Sequence, residues 1–232
     1  MRLLAIETST LLGGVAIMDD GGLVAESRFN VKVTHSERLM ADIDHVLRRS
    51  GLSIGEIDVF GLAAGPGSFT GLRVGLSTMK GIVYATRRPL VAVSTLEALA
   101  WNLPFCRHQV CPVLDARKRE VYTSVYRWND GRFSPVIGER VCSIDTLLAE
   151  IAERTVFLGE GARLYRGRIE ACLGDKALFA APQSLVPSAA HVACLCMERA
   201  GRRAFDDPLT LVPRYLRRSE AEVKSQESSA GR

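Results

Sequence analysis

Gly65-Pro66-Gly67-Ser68-Phe69-Thr70-Gly71-Leu72-Arg73 is the stretch on which the fold turns. Before it lies an apolar run, residues 57–63, that reads as a buried strand. After it comes a helical pattern to about residue 86, then another short apolar run at 89–93. Strand, glycine turn, helix and strand in that order make a βαβ unit, the building block of a parallel α/β sheet. Gly65, Pro66, Gly67, Ser68 and Gly71 form the turn itself. Glycines allow close backbone approach, and the free N–H groups of a helix start attract anions. Two readings therefore stand, a phosphate cradle or a rigid β-to-α turn. The run is neither a G-x-x-x-x-G-K-[ST] phosphate loop nor G-x-G-x-x-G.

Working outward, residues 2–8, 15–18 and 23–29 read as strands, the last two joined by Asp19-Asp20-Gly21-Gly22, a hairpin signal. Residues 36–50 are helical, with Leu39, Met40, Ile43, Val46 and Leu47 at apolar spacing. Thr34 and Glu37 suggest a capping box, and Arg48, Arg49 and Gly51 suit the helix end. Residues 94–103 give a third helix, so the first part runs β-β-β-α-β-α-β-α. The second part repeats that opening. Strands are expected at 110–114, 120–128, 133–142 and 155–158, a helix at 143–154, a helical or irregular stretch at 161–173, and a helix at 188–200. Residues 208–216 read as a partly extended closing segment. This gives an α/β protein with lobes at 1–103 and 104–218 and a poorly ordered tail at 219–232.

The helix after the glycine turn is unusual. At 100° per residue, Arg73, Ser77, Lys80 and Tyr84 make a narrow polar stripe, and Leu72, Leu76, Met79 and Val83 a bulky apolar one. Gly71, Val74, Gly75, Thr78, Gly81, Ile82 and Ala85 fill most of the remainder. One sheet buries one helix face, and two are offered here. Either another helix of the chain covers the second, or a partner does. The partner reading assigns Leu39, Met40, Ile43 and Val46 of one helix, with Gly71, Leu72, Gly75, Leu76, Thr78, Met79, Ile82 and Val83 of the other.

With 47% hydrophobic and 24% charged residues, the composition excludes collagen, a disordered chain and a membrane bundle. Leu3 to Ile6 is too short for a signal peptide, so a cytoplasmic place is expected, with no membrane contact. The net charge is +4, and residues 1–103 hold ten basic and ten acidic side chains, so residues 104–232 carry the excess. That is thin for a nucleic-acid groove. The six cysteines lack C-x-x-C spacing and read as reduced thiols. His35 is followed at i+4 by Leu39, which leaves no helical metal pair. No G-x-S-x-G is present. Glu7 and Asp115 end the first strand of each part, where a duplicated nucleotide fold places its acids. The turn after Asp115 is Ala116-Arg117-Lys118-Arg119, with no glycine to admit a phosphate. No catalytic, cofactor-binding or metal residue is assigned.

Ile6-Glu7-Thr8-Ser9, His35-Ser36-Glu37, the run from Gly65 to Gly75, Asp115-Ala116-Arg117-Lys118-Arg119-Glu120-Val121-Tyr122 and Pro213-Arg214-Tyr215-Leu216-Arg217 together resemble the TsaB family of bacterial tRNA threonylcarbamoyladenosine synthesis. The resemblance spans nearly the whole chain. It implies a two-lobed actin/Hsp70-like ATPase fold (ASKHA, ribonuclease H-like) whose lobes are related by duplication. It implies a non-catalytic scaffold that pairs with a catalytic paralogue, TsaD, and recruits an ATPase, TsaE. No cofactor is expected, and tRNA is expected to be met only through the complex. An exposed apolar helix face seeks a mate, so a homodimer is expected when the chain is isolated. Lys118-Arg119 departs from the Arg-Gly common in the family. The competing reading is an active small-molecule kinase or ATPase of the same fold.

Overall fold

The computed structural model describes residues 1–29 and 35–217. The capping box of Thr34 with Glu37, the side chain of His35 and the tail at 219–232 lie outside the described residues.

Two five-stranded sheets share one plan. In the first, β1 (Leu3–Glu7) pairs antiparallel with β2 (Gly13–Asp19), which pairs with β3 (Gly22–Phe29); on its other side β1 pairs parallel with β4 (Val59–Ala63), followed by β5 (Leu90–Val93). In the second, β6 (Gln109–Asp115) takes the place of β1, β7 (Glu120–Asn129) and β8 (Arg132–Ser143) form the antiparallel wing, and β9 (Thr155–Leu158) and β10 (Ala177–Phe179) the parallel one. The duplicated two-lobed α/β order is thus present strand for strand. β10 was not read from the sequence, because three residues carry no periodicity.

The helices are α1 (His35–Arg49), α2 (Phe69–Thr86), α3 (Thr95–Ala100), α4 (Ile144–Ala149), α5 (Glu160–Leu164), α6 (Arg166–Leu173) and α7 (Ala189–Gly201). α4 stops five residues short of the expected end. The chain tightens there through Glu150 N–H to Leu147 O, which turns Ile151 into the core. Residues 208–216 contribute no strand; near them Asp206 makes a single bridge to Leu90.

Side chains alternate across a strand, so each sheet has two faces to cover. On the first sheet, α1 and α2 cover the face of Leu4, Ile6, Ile17, Phe60 and Leu62. The opposite face, with Leu3, Ala5, Ala16, Val59 and Ala63, is covered by α7 through Val192, Ala193, Cys196 and Ala200. α3 goes the other way: Leu96, Leu99 and Ala100 pack on Val110, Leu114, Tyr126 and Leu158 of the second sheet. Each lobe therefore lends the helix after its fifth strand to the other. The expected division at 103/104 follows the chain, while the cores follow this exchange. Small residues make it possible: a Cβ on Gly61 would sit 2.7 Å from Cys196 Sγ, so α7 lies against bare backbone.

Candidate functional site

The first hairpin turn and the glycine turn meet between the lobes. Ser68 N–H donates to Ser9 O at 2.6 Å. A Cβ on Gly67 would run into that same carbonyl, and one on Gly65 (φ +121°) would lie 2.8 Å from Arg214 O. Arg214 N–H in turn donates to Ala64 O at 2.7 Å. The glycines of 65–67 thus admit the chain's own backbone. Of the two readings of this stretch, the geometry favours the rigid turn. Ser68 caps α2, its Oγ accepting from Gly71 N–H at 3.3 Å.

In front of these turns is a cleft of about 470 Å³, with Ser9, Leu11 and Phe69 on one wall and Asp115, Arg117, Tyr122, Glu160 and Arg163 on the other. Glu7 lies behind the first wall, fully buried, its Oε1 accepting from Ser9 N–H at 2.7 Å. Burial pushes its carboxyl up to about 7. Glu160 is also raised, by burial first and by Asp115 second. Asp115 accepts from Arg117 N–H at 2.9 Å and pairs with its guanidinium at 3.6 Å. The turn that follows is left-handed at three successive side-chain-bearing residues, Arg117, Lys118 and Arg119, with φ of 64°, 53° and 63°. All three are exposed. Among the described residues no histidine lines the cleft. Among the described residues no group of three or more His, Cys, Asp or Glu side chains could hold a metal ion, and no helix is long and apolar enough to cross a membrane.

Most of the expected partner face lies buried within the chain. Leu39, Ile43 and Val46 of α1 and Leu76, Met79, Ile82 and Val83 of α2 are buried together against the first sheet. Leu72 and Gly71 are buried as well. Gly75 is where α2 touches β1: a Cβ there would meet Thr8 Oγ1 and Ile6 Cδ1. Another part of the same chain covers these residues, which is the other reading that the two-faced helix allowed. Of the named set, only Met40, at 58% exposure, and the half-buried Thr78 reach the surface. Around them α2 exposes Arg73, Ser77, Gly81 and Tyr84.

One polar cluster went unread in the sequence. Glu139 of β8 accepts from Ser94 at the start of α3 and from Tyr126 Oη at 3.1 Å, and pairs with Arg214 at 3.1 Å. It ties the second sheet to the first lobe's cap and to the C-terminal segment. Its members come from four distant stretches, so no local spacing announces it.

The family model described as TsaD, tRNA N6-adenosine threonylcarbamoyltransferase, matches residues 20–225. The Bacillus subtilis tRNA threonylcarbamoyladenosine biosynthesis protein TsaB is 32% identical over 98% of this chain and 99% of its own length. A Pseudomonas aeruginosa structure, described as an uncharacterized protein with similarity to peptidase YeaZ, superposes with a TM-score of 0.81 at 26% identity, covering 93% of this chain and 99% of that one. The ethanolamine utilization protein EutJ of Carboxydothermus hydrogenoformans shares the fold alone, with a TM-score of 0.54, 11% identity, and coverage of 84% and 90%.

Proposed function

The chain belongs to the TsaB family, and from that premise we propose that it serves tRNA threonylcarbamoyladenosine synthesis as a non-catalytic subunit, docked on a TsaD-type catalytic paralogue. The observation that carries the non-catalytic part is the cleft. Its second turn holds Arg117, Lys118 and Arg119 where a triphosphate needs bare backbone. Docking falls to the exposed side of α1 and α2, around Met40, Ser77 and Tyr84. The isolated chain pairs with itself through that side, a TsaE-type ATPase joins the assembly, and the work is done in the cytoplasm.

The test is reconstitution. Purified chain mixed with the catalytic paralogue forms a stable complex, and the pair Met40→Glu and Ser77→Glu weakens it at least tenfold while the unfolding temperature holds. Calorimetry of the chain alone with ATP gives a dissociation constant weaker than ~0.1 mM, a free energy under about 5.5 kcal/mol in size. Micromolar ATP binding with turnover would overturn the non-catalytic reading.

A further inference from the structure

Five of the second half's cations gather around one cleft rim. Arg117, Lys118 and Arg119 project from the β6–β7 turn, and Arg163 on α5 lines the same cleft as Arg117. Arg217 reaches the turn from the C-terminal segment, donating to Ala116 O at 3.0 Å and pairing with Glu120 at 3.2 Å. Asp115, Glu120 and Glu160 offset part of this charge. Arg119 and Arg163 make no ion pair among the described residues, and both are exposed. The left-handed backbone at 117–119 is disfavoured for residues with a Cβ, and its occupants here are all cations.

An aromatic pair stands at the same rim. Phe69, which lines the cleft with Arg117, stacks on Tyr215 at 5.0 Å and 29°. The Arg73 guanidinium lies 3.7 Å over the Phe69 ring, and its Nε donates to Tyr215 Oη at 3.0 Å. Phe69 and Tyr215 are 38% and 36% exposed. Rings beside cations suit a protein interface as well, so the choice of unpaired RNA follows from the RNA-modification reading. Unpaired RNA uses both, phosphates on guanidinium groups and bases on π faces.

We propose that this rim is an RNA-contact surface of the chain itself, holding phosphates of an unpaired segment on Arg117, Arg119 and Arg163 beside the Phe69–Tyr215 pair. The inference rests on the reading that the chain works in RNA modification. It goes beyond the sequence-based expectation that tRNA is met only through the complex.

Fluorescence anisotropy of the full chain with a labelled, unmodified tRNA transcript, across a salt series, tests it. Wild type binds at low salt. Arg119→Glu with Arg163→Glu weakens binding at least tenfold and flattens the salt dependence by about 1.4 in log–log slope, roughly 0.7 for each lost phosphate contact. The matching double lysine variant keeps most of the affinity and slope. Tyr215→Ala weakens binding about fivefold, the low end of a lost base stack. Unfolding temperature and affinity for the catalytic paralogue stay unchanged in the charge variants. Wild type that does not bind, or reversed charges that bind as wild type does, overturns the proposal. Lost paralogue binding with RNA binding intact also overturns it, by making the rim a protein interface. Charge-sensitive RNA binding by a chain that never captures the paralogue would uphold the rim and sink the docking reading instead.

Discussion

At the end of β1 the chain turns through Thr8, Ser9 and Thr10, all buried; at the end of β6 it turns through Arg117, Lys118 and Arg119, all exposed. The strands that feed these turns occupy equivalent places in two sheets of one order. What differs is the helix that follows the fourth strand of each lobe. In the first lobe α2 is 18 residues long and presses Gly75 onto Thr8 and its N-terminal turn onto Ser9. In the second lobe the equivalent stretch is broken into α5 and α6, of 5 and 8 residues. A Cβ on Gly159 would run into Val113 O, deep in β6, so the close approach there is to the strand and not to the turn. Duplication thus preserved the sheets and left one hairpin turn locked in packing while the other faces solvent.

The largest effect is expected where the first turn is locked. Gly75→Leu drives a side chain into Thr8 and Ile6 and should cost about 3 kcal/mol in denaturant unfolding, at the upper end of overpacking. Gly81, on the same helix with nothing within 4 Å, is the control: Gly81→Leu should leave stability equal or slightly higher. Equal damage from both would mean that α2 is not seated as described.

Glu7, behind that turn, gives the next effect. Its folded carboxyl titrates near 7, above the ordinary 4.5, because it is buried. Between those values the folded state holds a proton that the unfolded state releases. The contribution is therefore complete below about pH 4.5 and lost as pH rises through about 7. Stability should fall by roughly 2 kcal/mol from pH 5 to pH 8, and Glu7→Gln should remove most of that slope. An unchanged slope in the variant would place the titrating group elsewhere.

The tie between the lobes comes third. Glu139→Ala leaves Ser94, Tyr126 and Arg214 without their shared acceptor. A loss of about 1.5 kcal/mol is expected, the scale of unsatisfied hydroxyl groups. The unfolding of the two lobes should also become less cooperative by calorimetry.

The smallest effect has the opposite sign. Arg119→Gly releases one left-handed residue (φ 63°) from its Cβ and should stabilise the fold by up to ~1 kcal/mol. It should also weaken RNA binding. Stability gained at the turn together with RNA affinity lost would sharpen the contrast between the locked and the exposed hairpin.

Much of this was legible from local chemistry. The run from Gly65 to Arg73 announced a strand-to-helix turn because its glycines permit close backbone approach at the entry to a helix. Amphipathic spacing placed α1 and α2 but could not say what covers them. Leu39, Ile43, Leu76 and Met79 look the same in a sequence whether the covering surface is a sheet of the same chain or a partner.

The sequence by itself determined most of the order of elements, the glycine turn and the family, because each rests on residues that are neighbours in the chain. Only the tertiary structure decided the exchange of α3 and α7 between lobes, the burial of the supposed partner face, the Glu139 tie and the gathering of Arg117, Arg119, Arg163 and Arg217 around an aromatic pair. Each of these joins segments tens to more than a hundred residues apart. Burial and charge density depend on which segments meet in space, and a pattern read along the chain has no term for that.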